Sequence, residues 1–208
     1  KTFMRNFPNT PFKVKDICQI TKEEVDELTG GISPDVIIGG PPCQGFSLAN
    51  KRRNKIKDDP RNRLFYQFVK FIDWYSPKAF VMENVKGLLS MKKGSVINTI
   101  IEEFTNAGAG YHVKFQVLCA SDYGVPQMRE RVIIIGVRKD LDIEPSFPSP
   151  IKGSVNVDEA ISDLPLINSS EGAEVQDYTM EPTNDYQRLM RRDSKKVYNH
   201  AAMHHTSR

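Results

Sequence analysis

The stretch that most restricts the fold is residues 35–47, DVIIGGPPCQGFS, in which a short β-branched run leads into nine residues that suit neither a helix nor a strand interior. Val36, Ile37 and Ile38 are apolar on both alternating faces, the pattern of a strand buried on both sides in a parallel sheet. Pro41 and Pro42 lack N–H donors, and each pushes the residue before it out of the helical region, so the chain must leave the strand extended. Gly39, Gly40 and Gly45 remove side chains from around Cys43, which lets a flat ligand approach the backbone. The thiol is thereby held beyond a strand end, aimed as a nucleophile at a planar substrate. A buried thiol on a tight turn is the plain alternative, since free cysteine is among the most buried residue types. A core position, however, calls for neither Pro-Pro rigidity nor flanking glycines.

Other segments repeat the strand-then-chemistry order. Residues 12–15, FKVK, alternate as a strand would and end at Asp16 and Ile17. A carboxylate there lies on the edge of an open α/β sheet where ligands bind, and Asp16 could meet an adenine amino group or a ribose hydroxyl, or simply cap a turn. Thr21 followed by Glu24 has the capping-box spacing of a short helix over residues 21–28, stopped by Gly30 and Gly31. Residues 62–75 carry Leu64, Phe65, Phe68, Val69, Ile72 and Trp74 at helical spacing, with Pro77 as the stop. Residues 79–82 read as a second buried strand that delivers Glu83, although a carboxylate at that point could also cap the next element. Helical pieces are expected at 87–89 and 96–104, a break at 108–110, and strands at 111–118 and 132–137. The short connection between these two strands predicts an antiparallel pair. A last strand running against the others starts on the edge where they end, which would bring Arg131 to the side of Cys43 and Glu83.

The net charge of +3 is too mild to indicate a nucleic-acid partner, so its distribution matters more than its sum. Residues 51–57, KRRNKIK, hold five cations in seven positions, either a solvated loop or a grip for phosphates. Cys18, Cys43 and Cys119 are odd in number and far apart, which argues against a disulfide framework or a zinc site and suits a reducing interior. His200, His204 and His205 have no carboxylate or thiol at regular spacing, and no metal is expected. No apolar run is long enough to cross a bilayer and no signal peptide opens the chain, so a cytoplasmic protein is expected. From Lys139 the sequence turns polar and proline-punctuated, with a short helix at 158–164 and no second apolar core. The expected organisation is one α/β domain over residues 1–150 and a polar connection over 151–208.

Three segments in this order, GGPPCQGFS, ENV at 83–85 and YGVPQMRER at 123–131, resemble the DNA (cytosine-5) methyltransferases, and most closely the bacterial modification enzymes. The resemblance implies a Rossmann-like S-adenosylmethionine-dependent sheet, mostly parallel with an antiparallel last strand. It implies that Cys43 attacks a cytosine, that Glu83 serves ring nitrogen 3, and that Arg129 and Arg131 hold the cytosine oxygen or lock Glu83. Asp16, Ile17, Pro42 and Leu64 would touch S-adenosylmethionine, which leaves as S-adenosylhomocysteine. Gln44, Ser47, Lys51, Arg52, Arg53 and Lys55 would face double-stranded DNA in a loop that closes over a flipped-out base. A cognate restriction endonuclease would be the functional partner and the nucleoid the place of action. The family's opening strand, its FxGxGG loop, the complete target-recognition region and the closing motifs have no counterpart in these residues, so a partial catalytic domain is expected. A transfer RNA substrate, or a catalytically silent DNA-binding subunit, remain alternatives. A thiol hydrolase is disfavoured because no histidine lies in a segment poised to serve Cys43.

Overall fold

The computed structural model describes residues 2–42, 63–151 and 153–204. It divides into two compact units, one formed by Lys1–Leu118 with Glu130–Pro148 and the other by Cys119–Arg129 with Ser149–Arg208.

The first unit is an α/β layer. After a five-residue helix α1 (Thr2–Asn6), a single 3-10 turn over Ile17–Gln19 leads to α2 (Lys22–Thr29). Strand β1 (Val36–Gly39), helix α3 (Arg63–Tyr75), strand β2 (Ala79–Val85), helix α4 (Ser95–Asn106) and strands β3 (Tyr111–Cys119) and β4 (Glu130–Arg138) follow. The sheet order is β1-β2-β4-β3, with β1 parallel to β2 and β4 antiparallel to β2. This is the mixed sheet expected from the chain order.

The helix boundaries follow local chemistry. Thr21 Oγ1 accepts from the Glu24 backbone N–H and the Glu24 carboxylate accepts from that of Thr21, so both orphan donors are satisfied and α2 starts there. Gly30, at φ 64, ends it in the left-handed region. The apolar stripe of α3 and α4 packs on one face of the sheet, where Phe65, Ile72, Phe80, Met82, Ile100, Phe104 and Ile134 are fully buried. Gly136 on β4 is required by this packing, because a Cβ there would collide with the Phe80 ring. Phe104 sits at the centre, with ring centroids 4.4 Å from Phe80, 5.5 Å from Phe65 and 5.9 Å from Phe68. Phe104→Ala is expected to cost about 3–5 kcal/mol of stability, read as a lower urea midpoint at unchanged slope.

Two strand expectations need correction. Residues 12–15 form no strand: no ladder partner meets them among the described residues, and Val14 is exposed. Their alternation still has a use, since Lys13 and Lys15 project to the same side and both bond Glu24, at 2.9 and 2.7 Å. These two ammonium groups, Lys15 foremost, hold the Glu24 carboxyl down to about 2 from its usual 4.5. Its folded value lies below the unfolded one, so its contribution is complete above about pH 4.5 and is lost as pH falls through about 2. The second correction concerns β1. It is an edge strand rather than one buried on both faces, with Val36 and Ile38 exposed at 52% and 75%.

The second unit carries helix α5 (Val157–Ile161), strand β5 (Gly172–Asp177), helix α6 (Asp185–Arg191) and strand β6 (Lys196–Ala201), with β5 and β6 antiparallel. Its described interior is largely polar. The Gln187 amide is 1% exposed, donates to the Glu159 carbonyl and the Ser162 hydroxyl, and accepts from the N–H and hydroxyl of Thr183. Arg191 pairs with Asp163 at 2.7 Å and lies 3.5 Å over the Tyr178 ring. Here sequence reasoning finds α5 but misses α6 and both strands. Their side chains, GAEVQD and KVYNHA, are mostly exposed and lack an apolar face to give period two.

Candidate active site

The carboxyl end of β2 and the amino end of β4 share one rim of the sheet, because the two strands run in opposite directions. Their register pairs Val85 with Arg131 and Glu83 with Ile133. Glu83 and Arg131 are therefore diagonal neighbours on the same face. The Arg131 guanidinium reaches the Glu83 carboxylate, Nε to Oε1, at 2.7 Å. Both side chains are partly open, at 24% and 42%. On the same rim, the Lys86 ammonium bridges both oxygens of the Glu130 carboxylate at 2.8 Å.

The loop that leaves β1 arrives at this rim as well. β1 is parallel to β2, with Gly39 opposite Met82, so Gly40 follows directly alongside Glu83. A Cβ on Gly40 would lie 3.3 Å from Glu83 Oε2, so the carboxylate stands close against the glycine backbone. Next, the buried Asn84 side chain donates from Nδ2 to the Pro41 carbonyl at 2.9 Å and accepts the Val85 N–H at 3.0 Å. Asn84 was not singled out by the sequence. It faces the core side of β2 with Phe80 and Met82, and only the alternation of the strand hinted at that burial.

Behind the rim lies a small cavity of about 260 Å³, lined by Ile17, Gly40, Pro41, Pro42, Leu64 and Phe68. Sites that enclose a drug-sized ligand run to about 300–1,000 Å³, so the part of this cavity formed by the described residues is smaller than that. Its described walls are aliphatic side chains, proline rings and a phenyl edge. Three residues expected at the cofactor, Ile17, Pro42 and Leu64, thus line one cavity. Asp16, the fourth, stands beside Ile17, where Oδ1 accepts the Cys18 N–H and caps the 3-10 turn.

Arg129 belongs to the second unit and is exposed. Its carbonyl accepts the Ala120 N–H at 3.0 Å, closing a compact loop over 119–129 that also accepts from Ile151 through the Asp122 carbonyl. Cys43, Gln44, Ser47, Lys51, Arg52, Arg53 and Lys55 lie outside the described residues, as does His205. Among the described residues no group of three histidine, cysteine, aspartate or glutamate side chains could hold a metal ion. No described helix is long and apolar enough to cross a membrane.

The family model for C-5 cytosine-specific DNA methylase matches residues 1–208. The chain is 46% identical over 216 residues to the Type II methyltransferase M.DdeI of Desulfomicrobium norvegicum, covering 100% of this chain and 50% of the relative. It is 41% identical over 173 residues to the Type II methyltransferase M1.HphI of Haemophilus parahaemolyticus, covering 83% of this chain and 45% of the relative. The chain therefore spans about half the length of these relatives. Among solved structures, a protein assigned as a prophage-encoded DNA modification methyltransferase of E. coli superposes with a TM-score of 0.71 over 92% of this chain and 58% of its own. At 24% identity, that likeness speaks for the fold alone.

Proposed function

The chain belongs to the C-5 cytosine-specific DNA methylase family, and from that premise we propose that the protein methylates carbon 5 of cytosine in double-stranded DNA, as the modification half of a Type II restriction-modification pair. The observation that carries this reading is the Glu83–Arg131 pair at 2.7 Å, on the rim that also receives the Gly40–Pro42 loop. A carboxylate, a guanidinium and the approach to a thiol, far apart in sequence, meet where one ring could sit.

Carbon 5 of cytosine is a weak nucleophile, and electrons must be pushed into the ring before it can react. The Cys43 thiolate adds to carbon 6, forming a sulfur–carbon bond and moving electron density toward carbon 5 and ring nitrogen 3. Glu83 holds a proton at nitrogen 3, where the charge accumulates. Arg131 orients Glu83 and offers its remaining N–H donors to the cytosine oxygen, a role suited to a planar fork of donors. S-Adenosylmethionine, when bound, supplies an electrophilic methyl group, and Ile17, Pro42 and Leu64 would hold its adenine, with Asp16 toward the adenine amino group. The proton on carbon 5 then passes to solvent water, and the sulfur–carbon bond breaks with its electrons returning to sulfur, which restores the aromatic ring and the thiolate.

The target carbon is shielded in a stacked duplex, so the base must be extruded, at a cost of a few kcal/mol. The cations Lys51, Arg52, Arg53 and Lys55, with Gln44 and Ser47, would repay that cost through phosphate and groove contacts. A duplex carrying 5-fluorocytosine tests the reading directly, because fluorine cannot leave carbon 5 as a proton does and the enzyme stays attached. The full-length protein is expected to give a denaturant-resistant complex with this DNA in the presence of S-adenosylmethionine. A protein that binds the duplex but is released intact by denaturant would overturn it.

A further inference from the structure

Asn84 is one of three polar side chains that are buried among the described residues, at 6% exposure, and it stands between Glu83 and Val85 on the reacting rim. Its amide spans two strands. The β1–β2 ladder ends at Gly39 opposite Met82, and the next two residues after Gly40 are prolines, which have no N–H to donate to a ladder. The segment therefore offers the ladder carbonyl acceptors but no donors. The Asn84 side chain takes over where the ladder stops, donating from Nδ2 to the Pro41 carbonyl at 2.9 Å. The rotamer is set from the other end, because Oδ1 accepts the Val85 N–H at 3.0 Å, so the donor cannot swing away without leaving that N–H unpaired.

We propose that Asn84 is a positioning residue for the nucleophile, a side-chain rung that fixes the Pro41 carbonyl, and through the rigid Pro41-Pro42 unit the start of the segment bearing Cys43, against the strand that carries Glu83. The inference rests on the reading given under Proposed function. Its physical content is that one buried amide sets the spacing between two groups that must act on the same ring. Glu83 points to one face of β2 and Asn84 to the other, so the strand displays the acid on one side and holds the loop from its opposite side. Two side chains adjacent in sequence thus tie the rim together. An aspartate at this position keeps the size and the acceptor but loses the donor, and its oxygen would face the Pro41 carbonyl oxygen without a hydrogen between them.

The test compares Asn84→Asp and Asn84→Ala with the unaltered full-length protein on a 5-fluorocytosine duplex. Both variants are expected to form the covalent complex about 10- to 100-fold more slowly, with the dissociation constant for ordinary duplex DNA within about threefold of the original. A core variant, Ile100→Val, which touches neither Pro41 nor Glu83, serves as the control for lost stability. At a comparable drop in melting temperature it is expected to keep the original rate. Adduct formation by both Asn84 variants within twofold of the original overturns the positioning role. So does a slowing that Ile100→Val reproduces at equal loss of melting temperature. Failure of the unaltered protein to form any adduct overturns the methyltransferase reading itself, and the positioning role with it.

Discussion

Cys43→Ser is expected to abolish methyl transfer, by ~10⁴-fold or more if the nucleophile acts as a unit with its neighbours. A serine hydroxyl ionises far less readily than a thiol and is a poorer nucleophile toward an activated ring carbon. The substitution removes little else. It is nearly isosteric, and the described apolar core runs through α3, α4, β2 and β4. Transfer of a labelled methyl group to a cytosine-containing duplex, measured beside thermal unfolding of the same preparations, separates the two effects. Turnover at the original rate would remove the nucleophile assignment. Turnover lost together with the cooperative transition would instead mean that the segment is needed for folding.

Glu83→Gln is the second large effect. An amide can still accept a hydrogen bond from Arg131, so the rim keeps its shape, but it cannot pass a proton to or from ring nitrogen 3. General acid–base help of this kind is worth about 10²- to 10⁴-fold, and kcat is expected to fall by that factor. The cost to the fold is small, because the Glu83 side chain is 42% exposed and an ion pair this open contributes about 0–1 kcal/mol. Single-turnover kinetics at saturating DNA provides the check. A variant with unchanged kcat would leave Glu83 as no more than the partner of Arg131.

Much of the first unit was legible in the sequence, for reasons that differ between elements. The start of α2 could be read because its capping box is a purely local arrangement, and α3 because Pro77 and a continuous apolar stripe mark its end and its face. The direction of β4 followed from the short span between it and β3, and with it the meeting of Arg131 and Glu83. What escaped depended on partners distant in sequence. Residues 12–15 have the right alternation for a strand but nothing to pair with, and alternation alone cannot report that. Val36 and Ile38 are apolar enough for a buried strand, yet burial is decided by what packs on them, and β1 lies at an edge. The hold of Asn84 on Pro41 links residues 43 apart through a single side chain, and no spacing rule signals such a bond. The strands of the second unit were missed because its described interior is organised by Gln187 and the Arg191–Asp163 pair rather than by an apolar stripe.

The alignment of β2 with β4 has one more implication. Side chains alternate sides along a strand, so the guanidinium stands over the carboxylate only while the offset between the two strands stays even. An odd slip would carry Arg131 underneath, toward Phe80 and Met82, and turn its apolar neighbours outward. The stretch joining β3 to β4 is free of that restriction, since residues gained or lost there change its length without altering which way the strand beyond it faces. Parity inside the sheet thus decides which face carries the pair, whatever the length of the connection that leads into β4.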